Sequence, residues 1–199
     1  MMDSRELILE TIRKNRPTGQ YDLPAVPDFT KPATADELRA KFVEMLELMG
    51  GTYLPPDGSG DLLSPVRARL ARVELVCSAV PEVNGNVALD QLKGPSDLTG
   101  VDCGVVRAAF GVAETGSVLF TEDELKVNTI AYLPEHLIVL LDPADIVAGL
   151  QHAYKRPEFC NARYASFNTG PSATADVEGV LIRGAQGVRS LTVVFVPRT

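Results

Sequence analysis

Three observations predict an α/β layered domain for this chain. Short continuous apolar runs, among them VELVCSAV, HLIVLL and SLTVVFV, are of the kind buried on both faces of a parallel sheet. Helical periodicity stands before and between them, most strongly over residues 35–49. The 199 residues, 45% hydrophobic and 23% charged, suffice for one domain with a substantial core, with or without an N-terminal extension. Strands interleaved with helices then form layers in which helices cover a sheet.

The elements follow in chain order. Residues 3–15 read as a first helix, with Leu9 and Ile12 at i, i+3 and Ile8 and Ile12 at i, i+4. Pro17, Pro24, Pro27 and Pro32 forbid a continuous helix over 16–33 and favour an extended arm, lying on the body or on a partner subunit. The expected division is therefore residues 1–33 as helix and proline-bearing arm, and 34–199 as the α/β domain. Thr34 with Glu37 forms a capping box for a helix over 35–49. Its apolar stripe is Leu38, Phe42, Met45, Leu46 and Met49, and Gly50-Gly51 ends it. TYLP is a short strand, PPDGSG a loop, and Pro65–Ala71 a short helix after Ser64. VELVCSAV is a strand, and VALDQL another short element. GVVRAAFGVAETGSVLF holds two apolar pieces around Glu114, broken at Gly111 and Gly116, and HLIVLL is a further buried run. Asp142-Pro143 is expected to start a helix running to Tyr154, with Ile146, Val147, Leu150 and Tyr154 on one side. YASFNT alternates and ends at Gly170, and SLTVVFV is the closing strand.

Composition excludes several function classes. A net charge of −7 with scattered basic residues disfavours nucleic acid and an anionic membrane surface. The densest basic group, Arg67, Arg69 and Arg72, reads as the solvated side of a short helix. No apolar run approaches the ~20 residues that cross a bilayer. Asp3, Glu6 and Glu10 do not fit a signal peptide, so a cytoplasmic location is expected. Cys77, Cys103 and Cys160 are widely spaced, with no Cys-x-x-Cys pair for an iron–sulfur cluster or structural zinc, and read as packed thiols. His136 and His152 have no neighbouring ligand at metal spacing. Neither a phosphate loop, a dinucleotide fingerprint nor a nucleophile elbow is present.

Two turns carry the polar chemistry. In AETGS, residues 113–117, Glu114 is flanked by apolar residues and followed by Thr115, Gly116 and Ser117. It is either a carboxylate at a strand end beside a hydroxyl-lined cleft, a candidate nucleophile or base, or a turn residue facing water. In GPSATADVE, residues 170–178, Gly170 and Pro171 end a strand. Ser172 or Thr174 is placed to cap a following helix, with Asp176 and Glu178 in its first turn. Amides at such a helix start also hold anions. GPSD recurs at Gly94–Asp97, so the tripeptide alone is ordinary turn chemistry.

Taken together, GVAETGSVLF, YLPEHLIVLLD, FNTGPSATADVEGVLIRGAQG and LTVVFV resemble the LUD-domain family, the lactate-utilization group. The chain is most similar to that family's short C-type members. The resemblance covers about Val105 to Val196 and before that is one of architecture only. It implies a layered sandwich of the NagB/RpiA/CoA-transferase type with a mainly parallel sheet and a helical N-terminal extension. It also implies a role beside two iron–sulfur partner proteins in oxidising L-lactate to pyruvate, with a small carboxylate or nucleotide as ligand and a homo-oligomer allowed. The alternatives are a stand-alone enzyme of the CoA-transferase or sugar-phosphate type using Glu114, or a non-catalytic assembly module. With no cysteine cluster of its own, the chain is then the cluster-free subunit, and no cofactor is assigned to it. Glu114, Thr115 and Gly116 match one family motif, and Ser117 follows it. Gly170, Pro171, Ser172, Thr174, Asp176 and Glu178 match the other. The chain departs at Ala173, where the family carries Lys or Arg, and at Gln186-Gly187-Val188, where a His-Gly-Pro run is frequent. Lys126 and Arg183 flank the motifs and could replace the missing cation. Both turns follow strand-like runs, so they are expected to meet at one cleft beyond the carboxyl ends of the strands.

Overall fold

The computed structural model describes residues 3–17, 19, 27–29, 31–176 and 178–198. Pro24 of the expected arm lies outside the described residues. The first helix, α1 (Ser4–Asn15), is capped by the Asp3 carboxylate, and none of its residues is buried. The second, α2 (Ala35–Leu48), starts at the expected capping box: the Glu37 amide donates to the Thr34 hydroxyl at 3.3 Å and the Thr34 amide to the Glu37 carboxylate at 2.7 Å. Phe42 and Leu46 of its stripe are buried, whereas Met49 is 44% exposed. Gly50 ends the helix with φ +87°.

The centre is a five-stranded sheet, parallel throughout. Its strands are β1 (Thr52–Tyr53), β2 (Val76–Ser78), β3 (Cys103–Arg107), β6 (His136–Leu141) and β11 (Ser190–Phe195), in the order β1-β11-β6-β3-β2. Alternate residues of β6 enter different cores. Ile138 and Leu140 join Val66 of α3 (Ser64–Leu70), and Leu137, Val139 and Leu141 join Phe42 and Leu46 of α2. Burial on both faces is why HLIVLL has no polar alternation.

On the α2 side lies a second sheet, mostly antiparallel, of β4 (Phe110–Val112), β5 (Ser117–Thr121), β7 (Ile146–Val147) and β8 (Ala165–Asn168), in the order β7-β4-β5-β8. Three one-turn helices border it: α4 (Glu122–Leu125), α5 (Leu150–Ala153) and α6 (Pro157–Cys160). A small hairpin, β9 (Ala173–Thr174) with β10 (Ile182–Arg183), stands apart from both sheets.

Three expectations are corrected. The helix expected over 142–154 is a 3-10 turn at Pro143–Asp145, then strand β7, then α5. Ile146 and Val147 pair with Gly111 and Val112, and Gly149 is extended, so the edge of β4 wins these residues from the helix. Gly111 does not break a strand. It sits inside β4, where a Cβ would come within 2.8 Å of Leu141 and 3.0 Å of Phe42, so its lack of a side chain admits both. The chain instead breaks at Ala108 and Ala109, whose carbonyls accept from the Arg198 guanidinium at 2.9 and 3.0 Å. VALDQL holds the short element expected there, a 3-10 turn over Leu89–Gln91. Among the described residues of GPSATADVE no helix starts, because Ser172 donates its amide to Val188 at 2.8 Å and accepts from Gly184 at 2.7 Å. This strand-like pairing leads into β9.

Cys77 and Cys103 are buried and Cys160 is exposed. Burial pushes the Cys103 thiol up to about 11, with Arg69 opposing and Asp102 adding to the rise. A maleimide at pH 7.5 is therefore expected to modify Cys160 rapidly in the native protein and the other two only after unfolding. Mass spectrometry of the labelled chain checks this; rapid labelling of Cys103 would contradict the packing described. Among the described residues, no helix is long and apolar enough to cross a membrane, and no group of three His, Cys, Asp or Glu side chains is placed to hold a metal ion.

Candidate functional site

The two polar turns come together through strand pairing. Val112 pairs with Ser117 across the AETGS turn, and Val118 with Asn168, so β5 carries Ser117 to the end of β8 beside Thr169. Three hydroxyls form a chain there. Thr115 Oγ1 lies 2.7 Å from Ser117 Oγ, which lies 2.6 Å from Thr169 Oγ1. Ser117 is buried, so its hydroxyl depends on these partners.

Both turns also seat the end of α2. Gly116 has φ +66°, and a Cβ on it would lie 2.6 Å from Leu46 Cα and from the Met45 carbonyl carbon. Gly170 has φ +66°, and a Cβ there would meet the Met49 carbonyl. Each glycine thus meets two requirements at once, a left-handed backbone and contact with another backbone.

Glu114 is exposed. Its amide donates to the Ala148 carbonyl at 3.0 Å, and its carboxylate accepts from the Leu150 amide at 3.0 Å, which fastens the turn to the start of α5. This carboxylate does not line the cleft formed by the second motif, and neither do Thr115, Gly116 and Ser117.

That cleft, about 530 Å³, is lined by Gly170, Pro171 and Ser172, by Asn168 and Thr169, by Gln186-Gly187-Val188, and by Tyr132. It lies beside the residues preceding β6 and the first residues of β11. The amino ends of two parallel strands therefore border it, not the carboxyl ends. The Ser172 hydroxyl donates to the Gln186 carbonyl, which closes one wall. Tyr132 and Tyr164 place their hydroxyls 2.5 Å apart. Burial pushes the Tyr132 phenol up to about 12, with Ser166 opposing and Tyr164 adding to the rise, so at neutral pH it remains an O–H donor. The cleft thus combines apolar walls with several neutral hydrogen-bonding groups, a surface suited to orienting a small polar molecule.

The remaining motif residues lie on the hairpin. Thr174 is in β9, its hydroxyl accepting from the Asp176 amide at 3.4 Å. Asp176 and Glu178 are exposed, and Glu178 has φ +55°. Ala173 is the register partner of Arg183, so a cation does stand directly across the ladder from the departing position. The Arg183 guanidinium also lies over Gly50 at the carbonyl end of α2, where a positive charge is favourable. Lys126 instead borders a separate cleft of about 370 Å³ with Glu82, Arg107 and Arg198, beyond the carboxyl ends of β2, β3 and β11. Tyr132 and Tyr164 were not foreseeable as site residues, since 32 positions separate them. The Arg107–Glu82 pair, at 2.5 Å, likewise left no local signal.

A family model described as the LUD domain matches residues 89–196. No curated protein matches the chain. Among solved structures, it is similar to the crystal structure of a DUF162 family protein from Deinococcus radiodurans at 1.70 Å resolution. The identity is 14% and the TM-score 0.61, over 83% of this chain and 99% of that one, a likeness of fold.

Proposed function

The chain belongs to the LUD-domain family, associated with lactate utilization, and from that premise we propose that it is a cluster-free accessory subunit of L-lactate oxidation to pyruvate. In this reading it is of the lactate utilization protein C type. It acts with iron–sulfur partner proteins and holds a small carboxylate or nucleotide in the cleft at Gly170–Ser172. Residues 34–199 form the LUD-type domain and 1–33 an extension. That division is supported by α1 having no buried residue while α2 and α3 supply Phe42, Leu46 and Val66 to the cores.

The observation that carries the subunit role is the β9–β10 hairpin. Val180, Leu181 and Ile182 are consecutive and exposed at 60%, 59% and 40%, within the residues that the family model matches. A contiguous apolar patch leading into a strand with an open edge is costly in water and is characteristic of a surface that another protein covers.

Leu181→Asp tests this. Leu181 is exposed, so Tm is expected to stay within what about 0.5 kcal/mol produces. Capture of the iron–sulfur proteins from cell extract is expected to fall at least about tenfold, the loss from one apolar anchor at an interface centre. Capture unchanged by this substitution would remove the hairpin from the interface. Full lactate-dependent growth after deletion of the gene, with no paralogue present, would sink the functional reading itself.

A further inference from the structure

A third cavity lies on the opposite face of the parallel sheet from the cleft at Gly170. It has a volume of about 460 Å³ and is lined by Ala68, Arg69, Arg72, Val73 and His136. Every ionisable group in its lining is a base, in a chain of net charge −7. Arg69 is held in place, its guanidinium donating to Thr192 Oγ1 at 3.0 Å. The Arg72 guanidinium has no hydrogen bond or ion pair with any described residue, so all five of its N–H donors are free for a ligand. His136 Nδ1 is engaged with Ser190 Oγ at 2.8 Å, which leaves Nε2 available.

Nothing acidic competes within the cavity. Asp102 accepts from the Leu75 amide at 2.8 Å, and Glu135 pairs with Arg189 at 3.2 Å. The carbonyl end of α3 borders the site and works against an anion. Its last carbonyls, however, already accept from the Ala71, Arg72 and Val73 amides. Two guanidiniums with an imidazole between helix and sheet match the planar or tetrahedral oxygens of an oxyanion, to which arginine donates in parallel pairs.

We propose that this cavity binds the oxyanion end of a small metabolite, a carboxylate or phosphoryl group, with Arg69 and Arg72 as the charged forks and His136 as the third donor. The site is independent of the cleft at Gly170 and of the subunit role.

The test follows the ring C–H resonances of the histidines by NMR at pH 7.5 and constant ionic strength, while inorganic phosphate and acetate are titrated separately. The chain has two histidines, so His152→Gln assigns them. In the native protein His152, which lines no part of this cavity, reports general salt effects. A saturable shift of His136 alone is expected with at least one anion. Phosphate alone identifies a phosphoryl ligand and acetate alone a carboxylate; saturation by both identifies recognition of the shared oxyanion. Arg72→Gln, which breaks no internal bond, is expected to raise the midpoint at least about tenfold with Tm unchanged. A shift that never saturates with either anion, or a midpoint indifferent to Arg72→Gln, overturns the proposal.

Discussion

Gly116→Ala is expected to destabilise the protein by about 2–5 kcal/mol, lowering Tm by roughly 10 °C at the 2–4 °C per kcal/mol of a chain this size. Two costs add. A left-handed backbone with a Cβ costs about 1–2 kcal/mol. The new methyl would also lie 2.6 Å from Leu46 Cα and the Met45 carbonyl carbon, so the last turn of α2 must move, an overpacking cost of about 1–3 kcal/mol. Gly100→Ala separates the two. Gly100 has φ +87°, but a Cβ there meets nothing within 4 Å, so only the conformational part of about 1–2 kcal/mol is expected. Equal losses at both sites by chemical denaturation would show that α2 does not seat on the AETGS turn.

That seat explains what local reading of the motifs could and could not deliver. Glu-Thr-Gly and Gly-Pro-Ser announced turns, and both turns exist. Their shared purpose became visible only once α2, some 70 residues before the first of them, was packed against both glycines. The capping box at Thr34 and Glu37 was legible because its partners are three residues apart. HLIVLL and SLTVVFV were legible because burial on two faces leaves a continuous apolar run. The second sheet was not. Its strand β7 is two residues long and owes its conformation to the edge of β4, a tertiary partner that propensity does not see.

Ser, Thr and Asp in GPSATADVE suit a helix cap and a hairpin turn equally, because the same short side chains bond backbone amides in both. The pairing of Ser172 with Val188 and Gly184 decided for the hairpin. Of the cleft, Gly170, Pro171 and Ser172 were legible, while Tyr132 and its hydroxyl partner Tyr164 behind it needed the fold. The basic cluster divided as well. All three are exposed, as the solvated side of a short helix requires; Arg67 pairs with Asp61, while Arg69 and Arg72 border an open cavity with His136, a residue distant in sequence.

Phe42→Ala is expected to cost about 3–5 kcal/mol, because the ring is fully buried between layers and its removal leaves a cavity. The ring lies 6.0 Å from the Phe195 ring of β11 and against Gly111 of β4, so it ties α2 to both sheets at once. This makes a coupling measurable. Gly111→Ala alone is expected to destabilise by about 1–3 kcal/mol, since its Cβ would crowd Phe42 at 3.0 Å and Leu141 at 2.8 Å. In the Phe42→Ala background the same methyl enters the vacated space, and Leu141 has room to rotate away. The double substitution is therefore expected to be more stable than the sum of the singles by at least about 1 kcal/mol. Simple additivity in denaturant unfolding would mean that Gly111 and Phe42 do not share the contact on which the packing of α2 across the two sheets depends.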